Sequence, residues 1–284
     1  MITKKYSEIF EKDKTLYHYT KFDTALNHIL SDFKLRLSPI TTAYDPMESE
    51  KPTPSFSYYG NHDQIENIKI KYDIPELIKS VSEYYKQLRH LCLCKNSNET
   101  INGIHTTPFE PIEHFGFAKP RMWDQYGDKY TGICFAISRQ RLIQYLDSNY
   151  KVLEVKYTRN NLLKANLGTL GINLNQVEEL GQEKYLNLKY ELELQKISEK
   201  HIDYRDENEC KIVVASIKKY EYVDIRHSLQ AVFCTNKLDY NSKVKIHEVL
   251  SKYEVPLIEV NFSREGVNIK QFNKIDFDLI NTKR

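Results

Sequence analysis

Two short stretches carry the residues best suited to chemistry: Leu16-Tyr17-His18-Tyr19-Thr20 near the start, and Glu207-Asn208-Glu209-Cys210-Lys211 far downstream. Both read as strand-like segments. Residues two apart on an extended strand share a face, so Glu207 and Glu209 project together. Such crowding raises the pKa of one acid unless a cation lies close by. Paired acids at the mouth of a strand suit two chemistries, stabilising an oxocarbenium-like sugar centre in glycosyl transfer or holding a metal ion. In the first stretch His18 is the polar group of interest, able to hydrogen-bond a ligand or a backbone carbonyl. Tyr19 alternates to the opposite face and reads as packing, and Thr20 as the cap of the helix that follows. Function then depends on whether the two stretches meet.

The elements that must position them are mixed. After the strand over 15 to 20, Phe22, Ala25, Leu26, Ile29 and Leu30 recur at helical spacing. Leu35-Arg36-Leu37-Ser38 alternates as a second strand that stops at Pro39. Asp45-Pro46-Met47-Glu48 reads as a capped helix start. A helix over 75 to 90 precedes the short buried strand Leu91-Cys92-Leu93-Cys94. Segment 95 to 120, polar and broken by Pro108, Pro111 and Pro120, reads as a long loop or lid. A short helix then ends at Gly127 and leads into a strand over 131 to 137, with Trp123 and Tyr126 on one side of the turn. Residues 173 to 201 predict one long inserted amphipathic helix with a solvated face. Further strands over 210 to 216, 231 to 234 and 256 to 262, and a helix near 246 to 253, complete an α+β order without the regular alternation of a doubly wound sheet. The whole of 1–284 reads as a single elaborated domain.

Composition narrows the field. Lys and Arg number 41 against 39 Asp and Glu, a net charge of +2, so no global field draws the chain to nucleic acid or an anionic membrane. Five scattered cysteines read as reduced thiols, and no apolar run approaches the roughly 18 residues of a membrane span, so a cytoplasmic location is expected. With 21 tyrosines, no single Tyr signals function. Cys92 and Cys94 have no second Cys or His pair at ligand spacing, which leaves no expected metal site. A phosphate-binding Gly-rich loop, a dinucleotide fingerprint, a zinc-protease helix and a nucleophile elbow are all missing from the sequence.

Several motifs stand in the order of a bacterial family of proteins known as domain of unknown function 2971, which the chain resembles over nearly its whole length. They are Tyr17-His18-Tyr19-Thr20, Leu35-Arg36-Leu37-Ser38, Asp45-Pro46-Met47-Glu48, Leu91-Cys92-Leu93-Cys94, Met122-Trp123-Asp124-Gln125-Tyr126-Gly127 with Gly132 and Phe135, and Glu207-Asn208-Glu209. The departures are Lys211 where the family tends to carry Arg, Tyr204 where it favours Trp, and Ala43-Tyr44 where Asn commonly precedes Asp-Pro. A looser resemblance, carried by the first-strand His, the middle aromatics and the late Glu-x-Glu, is to ADP-ribosyltransferases of the toxin and nucleic-acid-modifying type.

That resemblance implies an ADP-ribosyltransferase-like split β-sheet core flanked by helices, with NAD as substrate. His18 would hydrogen-bond ribose hydroxyls, Trp123 or Tyr126 would stack on nicotinamide, and Arg36 would neutralise the pyrophosphate. Glu209 would stabilise the developing sugar cation, and Glu207 would orient or deprotonate the nucleophile. The acceptor would be a nucleic acid or a protein, and a toxin or phage-defence role with a restraining, antitoxin-like partner would follow. Two other readings use the same residues. Asp45, Glu209 and Lys211 resemble the Mg²⁺ site of restriction-type nucleases. A non-catalytic binding or regulatory module would leave the acids solvated.

Overall fold

The computed structural model describes residues 14–43, 49, 55–96, 112–159 and 171–273. Its strands, in chain order, begin with β1 (Thr15–Thr20), β2 (Lys34–Pro39), β3 (Phe56–Ser57), β4 (Leu88–Cys94), β5 (Ile133–Ser138), β6 (Lys151–Glu154) and β7 (Lys156–Thr158). They continue with β8 (Ile172–Asn173), β9 (Glu199–His201), β10 (Glu209–Ala215), β11 (Glu221–Asp224), β12 (Leu229–Thr235), β13 (Leu257–Ser263) and β14 (Gly266–Gln271). Ten of these join one open sheet whose central run is β6-β10-β4-β1-β5-β12, antiparallel throughout, and the parallel pair β12–β13 extends it to β14. The α+β class follows directly. No described helix is long and apolar enough to cross a membrane.

Strict alternation sends side chains to two buried faces. Leu16, Leu93, Phe135, Cys210 and Ile212 join one apolar cluster, while Tyr17, Tyr19, Cys94, Cys134 and Phe233 join another on the opposite side. Because both faces are covered, the central strands read as nearly continuous apolar runs. Fully burying one such leucine stabilises the fold by about 1.5–3 kcal/mol. As the alternation predicts, Tyr19 packs, meeting Trp123 edge-on with ring centroids 5.1 Å apart.

Three expectations change. The helix foreseen over 173–201 is two, Leu174–Leu180 and Gln182–Ile197, followed by β9. Gly181 breaks it at φ 77° and ψ 158°, a conformation that glycine adopts without a Cβ clash. Thr20 is not the helix cap: the following helix, Phe22–Thr24, starts from Lys21 with no side-chain cap bond. Within the foreseen loop or lid, residues 115 to 118 are core, with Phe117 stacked on Phe233 at 4.2 Å. A Cβ on Gly116 would lie 2.2 Å from the Tyr17 ring. Residues 97–111 of that segment, and the motif Asp45-Pro46-Met47-Glu48, lie outside the described residues.

Candidate active site

Strand β4 is where the two sequence stretches meet. Cys94 pairs with Tyr17 on β1 and with Glu209 on β10, so the His-bearing and Glu-bearing strands flank the same residue. The edge opposite β10 is shared. β1 holds it at Cys94 and β2 holds it at Arg89 and His90, and the two strands part around Leu91–Leu93. The sheet is therefore split along one edge of β4.

His18 lies at this split. In register terms Tyr17, Cys94 and Glu209 share a pleat, so His18 alternates to the other face from Glu209. Its ring turns toward the gap, with Nδ1 3.4 Å from Cys92 O. A carbonyl only accepts, so Nδ1 carries the proton in this contact and Nε2 is left as an acceptor. Burial pulls the imidazole pKa down to about 4, against the weaker opposing effect of that backbone contact. The ring is neutral at physiological pH.

The acid pair is built differently from a strand with two outward carboxylates. Glu207 ends the 3₁₀ helix Ile202–Glu207, Asn208 is left-handed at φ 45° and ψ 59°, and only Glu209 belongs to β10. Asparagine tolerates this conformation better than most residues. The kink is pinned from both sides, since Asn208 donates its side-chain amide to Asn96 O and its own carbonyl accepts from Lys95 N at 2.8 Å. Convergence of Glu207 and Glu209 thus comes from a kink and not from strand periodicity.

Cations fill the space between them. Lys200 Nζ, on β9, lies 2.7 Å from Glu207 Oε2 and 3.3 Å from Glu209 Oε2. Arg121 Nη2 donates to Glu207 Oε1 at 2.8 Å, and the Tyr126 hydroxyl donates to the same oxygen at 3.2 Å. Arg121 and Lys119 also tie the short helix Pro120–Gln125 to the turn, through Asp206 and the Asp206 carbonyl. The Tyr157 hydroxyl accepts from Glu209 N at 2.8 Å. Two carboxylates thus face two cations. Burial pushes the Tyr126 phenol well above its ordinary range, reinforced by the negative Glu207, and burial likewise raises Tyr157. The Glu207 side chain is 0% exposed and that of Glu209 is 6% exposed, so both acids are buried.

The remaining candidates separate. Trp123 is fully buried, donates its indole N–H to Phe117 O at 2.7 Å, and has no face open to a ligand. Tyr126 is half-buried and touches the acids. Arg36, an exposed position of β2, has its guanidinium 4.6 Å from the Tyr220 ring centroid. Lys211 is enclosed and donates to Ile197 O at 3.0 Å. Asp45 lies outside the described residues. Among the described residues no group of three or more His, Cys, Asp or Glu gathers as a metal requires.

Sequence reasoning missed Lys200, Arg121 and Tyr157. Lys200 was assigned to the solvated face of a long helix, yet the apolar stripe ends at Ile197 and Glu199-Lys200-His201 is a strand. That change of period was the available signal. Tyr157 and Arg121 carried none, because each arrives through tertiary contact.

No curated protein and no solved structure matches the chain. The family model described as protein of unknown function (DUF2971) matches residues 122–212, the stretch that runs from the helix of Trp123 and Tyr126 through the acid pair into β10.

Proposed function

We propose that the protein is an ADP-ribosyltransferase-like enzyme that transfers ADP-ribose from NAD to a macromolecular acceptor. One observation carries this reading: β1, with His18, and β10, led by Glu209, flank the same residue of β4 beside a split in the sheet. An ADP-ribosyltransferase-like core would bind the nicotinamide ribose near Cys94, where β1 and β10 lie on either side of β4.

In this reading the neutral His18 accepts a ribose hydroxyl through Nε2, and Tyr126, not the enclosed Trp123, is the aromatic nearest the acids. As nicotinamide leaves with the electrons of the C1–N bond, the Glu209 carboxylate offsets the positive charge developing on the ribosyl C1 and O4. Charge stabilisation confined to the transition state is what raises the rate. The acceptor then bonds to C1 and gives up its proton. Glu207, fully enclosed and held by Arg121, Tyr126 and Lys200, anchors Glu209 instead of meeting the acceptor. Arg36, exposed on β2, would neutralise the pyrophosphate.

A nucleic acid or protein acceptor, a toxin or phage-defence role and a restraining partner are part of the same proposal and rest on resemblance alone. The test is incubation with NAD labelled in its adenylate part and a panel of protein, DNA and RNA acceptors. Label should move to one acceptor class without added metal and should stay on NAD with Glu209→Gln. Metal-dependent nicking of nucleic acid, lost in Lys211→Ala, would replace this reading with the nuclease one.

A further inference from the structure

We infer that the outward face of β2 and β11, at one end of the sheet, is a docking surface for single-stranded nucleic acid. The register pairs Tyr222 with Arg36 and Asp224 with Lys34, and all four residues are exposed. Glu221 and Val223 instead oppose the buried Leu37 and Leu35. Alternation therefore sends the Tyr220 and Tyr222 rings and the cations Lys34 and Arg36 to one open face. The Tyr220 ring centroid has the Arg36 guanidinium at 4.6 Å and Lys219 Nζ at 5.2 Å, and Tyr222 is 50% exposed.

The turn that leads into this face is held in place. Buried Arg89 donates through Nε to Lys218 O at 2.8 Å, and Ser216 N donates to Gln87 O at 2.9 Å. Ser216 Oγ donates to Glu221 Oε1 at 2.6 Å, and Lys218 Nζ lies 3.3 Å from the same oxygen, so this acid is engaged within the turn. Asp224 accepts from Arg226 N at 2.7 Å. Across face and turn, Lys34, Arg36, Lys218 and Lys219 stand against Glu221 and Asp224, a local excess equal to the whole chain's net charge of +2. Cations beside exposed rings on a rigid sheet suit a strand with unpaired bases, whose π faces stack on the rings while its phosphates meet the lysines. A duplex keeps its base faces stacked inside, and a run of acidic side chains offers charge with nothing to stack. β2 is also the strand that parts from β1 at the split beside His18. Use of the docked strand as acceptor rests on the transferase reading, and the surface itself does not. Arg36 is given to the pyrophosphate in that reading, so the strand is assigned to Tyr222, Lys34, Lys218 and Lys219.

Fluorescence anisotropy without NAD tests this, using end-labelled RNA and DNA single strands of roughly 12 nucleotides, within the span of one small binding domain. The duplex of the same sequence, polyglutamate and vesicles containing phosphatidylserine are the comparison probes. Single strands should bind at low salt, and more tightly than any of these. Tyr222→Ala should weaken binding by about fivefold or more, the scale of one lost base–ring stack, and Tyr222→Phe should retain it. Lys218→Ala combined with Lys219→Ala should make the dependence of log affinity on log salt shallower by roughly 1.4. These side chains are exposed, and circular dichroism checks that each variant is folded. No binding at low salt, equal binding of duplex and single strand, or undiminished binding by Tyr222→Ala would overturn the assignment. Tighter binding of polyglutamate would do the same, and tighter binding of the vesicles would give the face, with the 88% exposed Ile217 beside it, to an anionic lipid surface. Nicotinamide release from NAD without strand binding would remove this surface and leave the transferase reading in place. Strand binding without nicotinamide release would do the reverse.

Discussion

Lys200 on β9 lies 2.7 Å from Glu207 at the end of a 3₁₀ turn, and both side chains are enclosed. The contact closes a network in which Arg121 holds the other Glu207 oxygen. Glu207→Ala leaves two cations facing a buried void. Breaking one side of a buried ion pair costs about 3–5 kcal/mol, so this variant should lose that much in chemical denaturation. Glu207→Gln keeps the shape and some hydrogen bonds and should lose less. Equal losses in the two variants would mean that the charge of Glu207 is not what the network needs.

His18 sets an acid limit on stability. Its folded pKa is about 4 against the ordinary 6.5, so the unfolded chain binds the proton more tightly. Stability from this group is complete above pH 6.5 and is lost as pH falls toward 4, at a scale of roughly 3 kcal/mol. His18→Gln should flatten that part of the stability profile, measured by denaturant unfolding between pH 4 and 7. A wild-type profile that does not change over this window would contradict the lowered pKa of the half-buried imidazole.

Trp123 is the chain's single tryptophan and is fully buried. Its fluorescence should be blue-shifted and poorly quenched by acrylamide. Trp123→Ala should cost about 3–5 kcal/mol through the cavity it leaves. If the nicotinamide ring lies against Tyr126, NAD affinity should fall with Tyr126→Ala and hold with Trp123→Phe. The reverse order would return the stacking role to Trp123.

Gly132 sits where β5 begins beside the end of β1. An added Cβ would lie 2.2 Å from Thr20 O and 2.9 Å from Gly127 O, both backbone atoms that cannot move aside cheaply. Gly132→Ala should therefore destabilise by about 1–3 kcal/mol, the scale of overpacking, and show it in thermal unfolding. A neutral effect would mean that the β1–β5 junction is looser than the register implies.

The sequence was informative where periodicity is local. The alternation of Tyr17, His18 and Tyr19, the buried run ending at Cys94 and the strand after Glu209 all emerge from residue order. It also identified the two segments that meet on β4. It did not reveal how they meet, because Glu207 and Glu209 look like alternate strand positions until Asn208 is seen to be left-handed. Nor did it separate Trp123 from Tyr126, whose exposures are decided by Phe117 and Glu207 arriving from elsewhere in the chain. Lys200 was concealed by charge abundance, since a lysine among many polar residues reads as solvated until β9 carries it inward.

The most direct measurement is nicotinamide release from NAD by the wild type and by Glu209→Gln, with the fold of both checked by circular dichroism. Release by the wild type without added metal, abolished in a folded Glu209→Gln, is the predicted result. Absence of release by the wild type with protein, DNA and RNA acceptors present, or undiminished release by Glu209→Gln, would contradict the account.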